Sequence, residues 1–132
     1  MAFNFQDKGK YFRGLLILIG KDGNIDINER KAILKICNKL GFESKFSDEA
    51  VNEFLENTYI DNTPPKFSSQ DIAIIFLQDA IKLSLVDNDF HTEELEWLEK
   101  VAVTNGIHKN WLDKELQKTI NKYKSEETLN IN

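Results

Sequence analysis

Apolar and polar positions follow one another along this chain with the period of amphipathic α-helices. In the first half, apolar residues at helical spacing predict helices over about 7–21, 27–40 and 47–57. In the second half they predict a fourth helix after Ser68, a fifth over 92–105 and a sixth from Asn110. The fourth is apolar almost all round, as expected of the most buried helix in a bundle. The pattern therefore predicts an all-α, single-domain bundle of about six to seven helices.

Polar caps and glycines predict where these helices begin and end. Ser47, Ser68 and Asn110 are of the residue types that accept a hydrogen bond from the first turn of a helix, so we expect them at N-caps. Gly41 and Gly106 each follow an apolar helical stripe and are suited to the left-handed conformation that ends a helix. Two prolines in the stretch NTYIDNTPPK predict a loop between the halves.

The chain repeats itself at an interval of 65 residues. The segments KDGNIDINERKAILKICNKLGF (21–42) and VDNDFHTEELEWLEKVAVTNGI (86–107) share an acidic turn, a glutamate-led helix and a glycine stop. The shift aligns Asp22 with Asp87, Glu29 with Glu94 and Gly41 with Gly106. We infer two similar helical hairpins, within repeats of about 8–57 and 68–124, packed about a pseudo-twofold axis with helices one and four at the centre. The tail, 125–132, is expected to fray.

The two acidic turns carry the most distinctive chemistry of the sequence. DGNIDINE is similar to the second half of an EF-hand loop, but the first ligand positions fall on Leu18 and Gly20, which excludes a standard EF-hand. The remaining carboxylates suit a hard divalent cation, calcium or magnesium. These candidate metal ligands are Asp22, Asp26, Glu29, Asp87, Asp89 and Glu94. Asp26 and Glu29 also fit a helix-capping box, so capping alone remains an alternative.

Composition and motifs narrow the classes of function. The 17 Lys and Arg residues against 22 Asp and Glu give a net charge of −5, which disfavours nucleic acid and favours a cationic or basic protein partner. No nucleotide, metalloprotease or acyl-transfer motif occurs, so we expect a protein that is not an enzyme. The longest apolar runs are too short to span a bilayer and the N-terminus lacks a signal-peptide core, so we expect a cytoplasmic protein.

Three single residues carry separate expectations. The lone Cys37 lies in an apolar helical stripe, which indicates a buried, reduced thiol. Asp79 lies on the apolar central helix, where a carboxylate needs a partner such as a Lys, a Tyr or a backbone amide. A role for Asp79 as a functional acid is the alternative. Trp97 is expected to be partly exposed.

The segments LSLVDNDFHTEELEWLEKVAVTNGI and LILIGKDGNIDINERKAILKICNKLGF resemble the TerB-like family over about residues 10–122. That family pattern is alanine-x-alanine-aspartate-glycine, then a hydrophobic residue, three variable residues and a glutamate, followed by an amphipathic helix ending in leucine-glycine. The chain departs from the pattern at Lys21, Val86 and Asn88.

The resemblance implies an all-helical, internally duplicated cytoplasmic domain of the kind found in bacterial tellurite-resistance proteins. It carries the motif acids onto Asp22, Glu29, Asp87 and Glu94, and it implies metal binding and a stress response with a protein partner, through which the domain associates peripherally with a membrane. We therefore expect a non-enzymatic module that binds a divalent cation or a basic partner at its acidic turns. The alternative is a purely structural protein–protein adaptor whose acidic turns only cap helices.

Overall fold

The computed structural model describes residues 3–20, 25–56, 61–86 and 91–130, and the regular structure within these ranges is α-helical. The helices are α1 (Phe5–Ile19), α2 (Ile27–Lys39), α3 (Ser44–Glu56), α4 (Gln70–Ser84), α5 (Thr92–Thr104) and α6 (Lys109–Asn130). These described ranges contain six helices and no strand, so the predicted all-α bundle of about six to seven helices is confirmed. None of the described helices has the length and apolar character needed to cross a bilayer.

Helices α1 and α4 form the centre of the bundle because both bury most of their side chains. From Tyr11 to Ile19, every residue of α1 except Arg13 is buried. Helix α4 buries an almost equally long set that includes Phe76 and Ile81. The central position predicted for the fourth helix is therefore correct, and the first helix shares it. The outer helices complete the core with one or more buried residues each: Ile33, Cys37, Val51, Trp97, Leu98, Val101, Ala102 and Leu112.

The helix boundaries reproduce the 65-residue repeat. Adding 65 to the bounds of α1 and α2 gives the bounds of α4 and α5, and adding it to the first residue of α3 gives the first residue of α6. Each repeat therefore comprises a helical hairpin and the third helix that follows it. Helix α6 is longer than α3, and its backbone stays helical into the predicted tail as far as Asn130.

Both hairpins end with the same hydrogen-bonded helix stop. Gly41 and Gly106 have φ angles of 92° and 73°, in the left-handed region that glycine adopts without strain. The N–H of Phe42 donates to the carbonyl of Cys37 at 3.0 Å, and the N–H of Ile107 donates to that of Ala102 at 2.8 Å. These are the 6→1 bonds of a Schellman motif, so the predicted glycine stops are confirmed.

Contacts between α1 and α4 include a matched pair at Tyr11 and Phe76, which are equivalent positions in the repeat. Their rings meet edge to face with centroids 5.1 Å apart. The Phe76 ring also lies over Gly14, where an added Cβ would come within 2.7 Å of the ring Cζ. The equivalent contact runs from Tyr11 to Asp79, since the phenol donates a hydrogen bond to the carboxylate. At the crossing of the two central helices, the aromatic residue of each helix therefore contacts the residue three positions after the aromatic residue of the other helix.

Three residues predicted as N-caps do not occupy that position in the structure. Helix α3 begins at Ser44, so Ser47 is not its cap but a buried residue inside the helix. Ser69 rather than Ser68 caps α4, accepting from the N–H of Ile72 at 3.3 Å. Helix α6 begins at Lys109, which leaves the predicted cap Asn110 in its first turn. In each case several residues near the boundary are able to cap, and tertiary packing selects the register.

One aromatic side chain, Trp97, differs from expectation, and a second, Phe46, is partly exposed. Trp97 is only 3% exposed, because it packs near Phe76 and donates its indole N–H to the carbonyl of Asn62 at 2.8 Å. The prediction of partial exposure is therefore wrong. Phe46 stacks on Phe42 with ring centroids 5.7 Å apart, and half of its surface remains exposed.

Candidate functional site

The first acidic turn leads into α2 through a complete capping box. Asp26 has extended backbone angles, φ −75° and ψ 169°, and its Oδ1 accepts from the N–H of Glu29 at 2.7 Å. In return, Oε1 of Glu29 accepts from the N–H of Asp26 at 3.2 Å. Both bonds satisfy backbone donors that have no partner inside the helix. The capping box predicted from the sequence is confirmed.

The second acidic turn uses the equivalent glutamate in the same way. His91 occupies the N-cap of α5 with φ −84° and ψ 145°, and its backbone N–H donates to Oε1 of Glu94 at 3.3 Å. Glu94 is only 6% exposed, whereas Glu29 is half-buried. A buried carboxylate at a helix start is stabilised by the positive end of the helix dipole. The pair Glu29 and Glu94 is thus the part of the repeat's chemistry that the structure places at equivalent sites.

Three of the six predicted cation ligands lie among the residues that the structure describes. Asp22, Asp87 and Asp89 lie outside the described residues. The other three, Asp26, Glu29 and Glu94, are not brought together, because no group of three or more His, Cys, Asp or Glu side chains within the described part of the chain is arranged to hold a metal ion. Capping uses one named oxygen of each of the three, and a carboxylate has two oxygens with several lone pairs. Capping and ion contact are therefore compatible at one carboxylate.

Asp79 is paired with Tyr11 at the crossing of the central helices. Tyr11 is fully buried and Asp79 is half-buried. Burial raises the pKa of Tyr11 far above its ordinary value, and the adjacent Asp79 carboxylate raises it further. The phenol therefore stays protonated and donates its hydrogen bond throughout the physiological range. The expectation that Asp79 pairs with a residue such as a tyrosine is confirmed.

Cys37 is a buried thiol, as predicted. Its side chain is 1% exposed, and burial raises its pKa to about 11, with a smaller opposing effect from the Ser47 hydroxyl. A thiol with that pKa is protonated near neutral pH and is a poor nucleophile. The packing of Cys37 accordingly accounts for its presence.

Buried polar side chains that sequence reasoning missed hold the loop between the halves. Asp7 is 2% exposed and accepts from both the N–H, at 2.9 Å, and the hydroxyl of Ser68. Asn105 accepts from the N–H of Phe67 at 2.9 Å and donates to the carbonyl of Pro65 at 2.8 Å. Asp7 lies in a first helical turn and Asn105 precedes a glycine stop, positions where such residues are usually explained by capping alone. These bonds position the halves and take no part in the acidic turns.

The fold and the two capped turns define an all-α protein built from two like halves. Comparison of the chain with family models, curated proteins and solved structures found no significant match.

Proposed function

We propose that this protein is a non-enzymatic, cytoplasmic helical module of the TerB-like type that binds a divalent cation or a basic partner in a metal or tellurite stress response. Its duplicated acidic turns form the binding sites. The observation that supports this proposal is the repetition of one carboxylate-led helix start in both halves, at Glu29 and Glu94. Each turn combines that carboxylate with further acids in the adjoining sequence, and calcium and magnesium prefer such oxygen ligands.

Isothermal titration calorimetry with calcium, magnesium and zinc tests the cation form of the proposal. We expect saturable heat for the wild type and its loss in the Asp22→Asn, Asp87→Asn double variant. A matched control is Asp71→Asn with Asp113→Asn, which removes the same charge from two exposed acids outside the turns. Absence of heat for the wild type, or equal loss in the control, would remove the cation form.

The capping bonds favour a second candidate, a structural adaptor in which the acids serve only the helix starts. Two variants of one residue separate the candidates. Asp26→Asn keeps a good N-cap and removes the charge, whereas Asp26→Ala removes both. If the acids only cap, Asp26→Ala lowers the free energy of unfolding by about 1 kcal/mol, Asp26→Asn leaves it nearly unchanged, and neither variant alters any response to ions. If the turn binds a cation, Asp26→Asn weakens the calorimetric response at unchanged stability.

A further inference from the structure

A polar groove of about 470 Å³ lies between α4 and α6, away from both acidic turns. Lys82 on α4 lines one wall, and Lys118 and Lys122 lie one turn apart on α6 along the other. Gln78 and Glu115 link the two helices, since the Gln78 amide donates to the Glu115 carboxylate at 3.0 Å. The groove therefore has a fixed polar base and a cationic rim.

The rim of the groove is positively charged. All three lysines are exposed, and none of them forms a hydrogen bond or ion pair with another described residue. Its three lysines and one acid, Glu115, give the lining a formal charge of +2, in a chain whose net charge is −5. This groove is thus a local reversal of the sign that dominates the molecule.

The 65-residue repeat allows the lining to be compared with the first half of the chain. The positions equivalent to Lys82, Glu115 and Thr119 in the first half are Ile17, Ala50 and Phe54. Ile17 is buried, and Ala50 and Phe54 pack against the core. The first half thus carries apolar residues at these three positions, whereas the equivalents of Gln78 and Lys118 are the exposed, polar Arg13 and Glu53.

We propose that this groove binds an acidic peptide segment of a partner protein. The lining comes from the C-terminal half of α4 and the middle of α6, away from both helix N-termini, so it lacks the free amides of a typical phosphate site. Lysine ammonium groups spaced along an open groove match several carboxylates carried on one chain. A nucleic acid is disfavoured because the chain as a whole carries a net charge of −5, which repels a long polyanion.

Fluorescence anisotropy of a labelled oligoglutamate peptide at low ionic strength tests this inference with the full chain. We expect saturable binding that weakens as salt is added. The double variant Lys118→Glu, Lys122→Glu should bind at least about tenfold more weakly, because it reverses both charges on the α6 wall. Glu115→Gln should bind about two- to threefold more tightly, because it removes the one acid of the lining and keeps an acceptor for Gln78.

The matched control is Lys31→Glu with Lys35→Glu, which makes the same charge change at two exposed lysines one turn apart on α2. Its affinity should fall much less than that of the α6 variant, and circular dichroism of each variant establishes that it is folded. Amide chemical-shift changes in the titrated wild type should cluster on the α4 and α6 residues of the groove.

Four results would overturn the inference: no binding by the wild type, an equal loss in the α2 control, shift changes located outside the groove, or preferential binding of inorganic phosphate or a short single-stranded oligonucleotide. The last of these would assign the groove to another class of anion. None of these outcomes bears on the acidic turns.

Discussion

Substitution of Gly14 by alanine tests the closest contact between the two halves of the protein. An added Cβ would lie 2.7 Å from Cζ and 2.8 Å from Cε1 of Phe76, well inside van der Waals contact. Alanine in a helix interior is favoured over glycine by about 1 kcal/mol, whereas overpacking a core costs about 1–3 kcal/mol. The free energy of unfolding should therefore change by between about 0 and −2 kcal/mol.

Gly9 provides a control in the same helix. A Cβ at Gly9 would meet nothing within 4 Å, so Gly9→Ala should gain about 1 kcal/mol from helix propensity alone. The two variants should thus differ by about 1–3 kcal/mol in urea unfolding followed by circular dichroism, or by roughly 4–12 °C in Tm. The double variant Gly14→Ala, Phe76→Leu should regain part of the loss, because leucine lacks the two ring atoms concerned. Equal stabilisation by Gly9→Ala and Gly14→Ala would refute the close crossing of α1 and α4.

Three further predictions concern the buried polar groups. Tyr11→Phe leaves the half-buried Asp79 carboxylate without its phenol donor and should cost about 1–3 kcal/mol in denaturant unfolding; a change below a few tenths would contradict the pairing. Because folding raises the pKa of Cys37 to about 11, its stabilising contribution is complete below the unfolded value near 9 and is lost as pH rises towards 11. The wild type should therefore lose more Tm over that interval than Cys37→Ala, and parallel losses would exclude this origin. Asn105→Ala should speed proteolysis in the 61–69 loop, and unchanged cleavage would show that the loop is held by other contacts.

The sequence predicts α2 and α5 better than the other helices because their ends depend on neighbouring residues. The Asp26–Glu29 box and the two glycine stops each close hydrogen bonds between residues three to five apart, so their spacing is visible in the sequence. The repeat then extends each inference to the other half. Because the same helix starts and stops occur in both halves, the number of helices and their order can be predicted from a single sequence.

The starts of α3 and α6 depend on packing between distant residues and are not visible locally. Ser47 is a chemically good N-cap, but in the fold it is buried inside α3 beside Cys37 of α2. Similarly, the bonds of Asp7 to Ser68 and of Asn105 to Phe67 span 61 and 38 positions. No local sequence pattern specifies such pairs. The bonds that hold the 61–69 loop can therefore be recognised only in the three-dimensional structure.

The acidic turns also combine one feature that local sequence predicts with one that depends on the fold. Their helix-start carboxylates, Glu29 and Glu94, could be assigned from the sequence because capping is a local interaction. Joint ion ligation depends instead on how the two halves orient their turns, which spacing along a chain does not determine.

The most direct test of the doubled acidic site is a calcium and magnesium titration followed by amide chemical shifts. Two equivalent binding turns predict shift changes in matched pairs of residues 65 apart, over 22–29 and 87–94, that saturate together and vanish in the Asp22→Asn, Asp87→Asn variant. Shifts confined to one half, or none in either turn, would contradict the claim that the repeat duplicates a binding function.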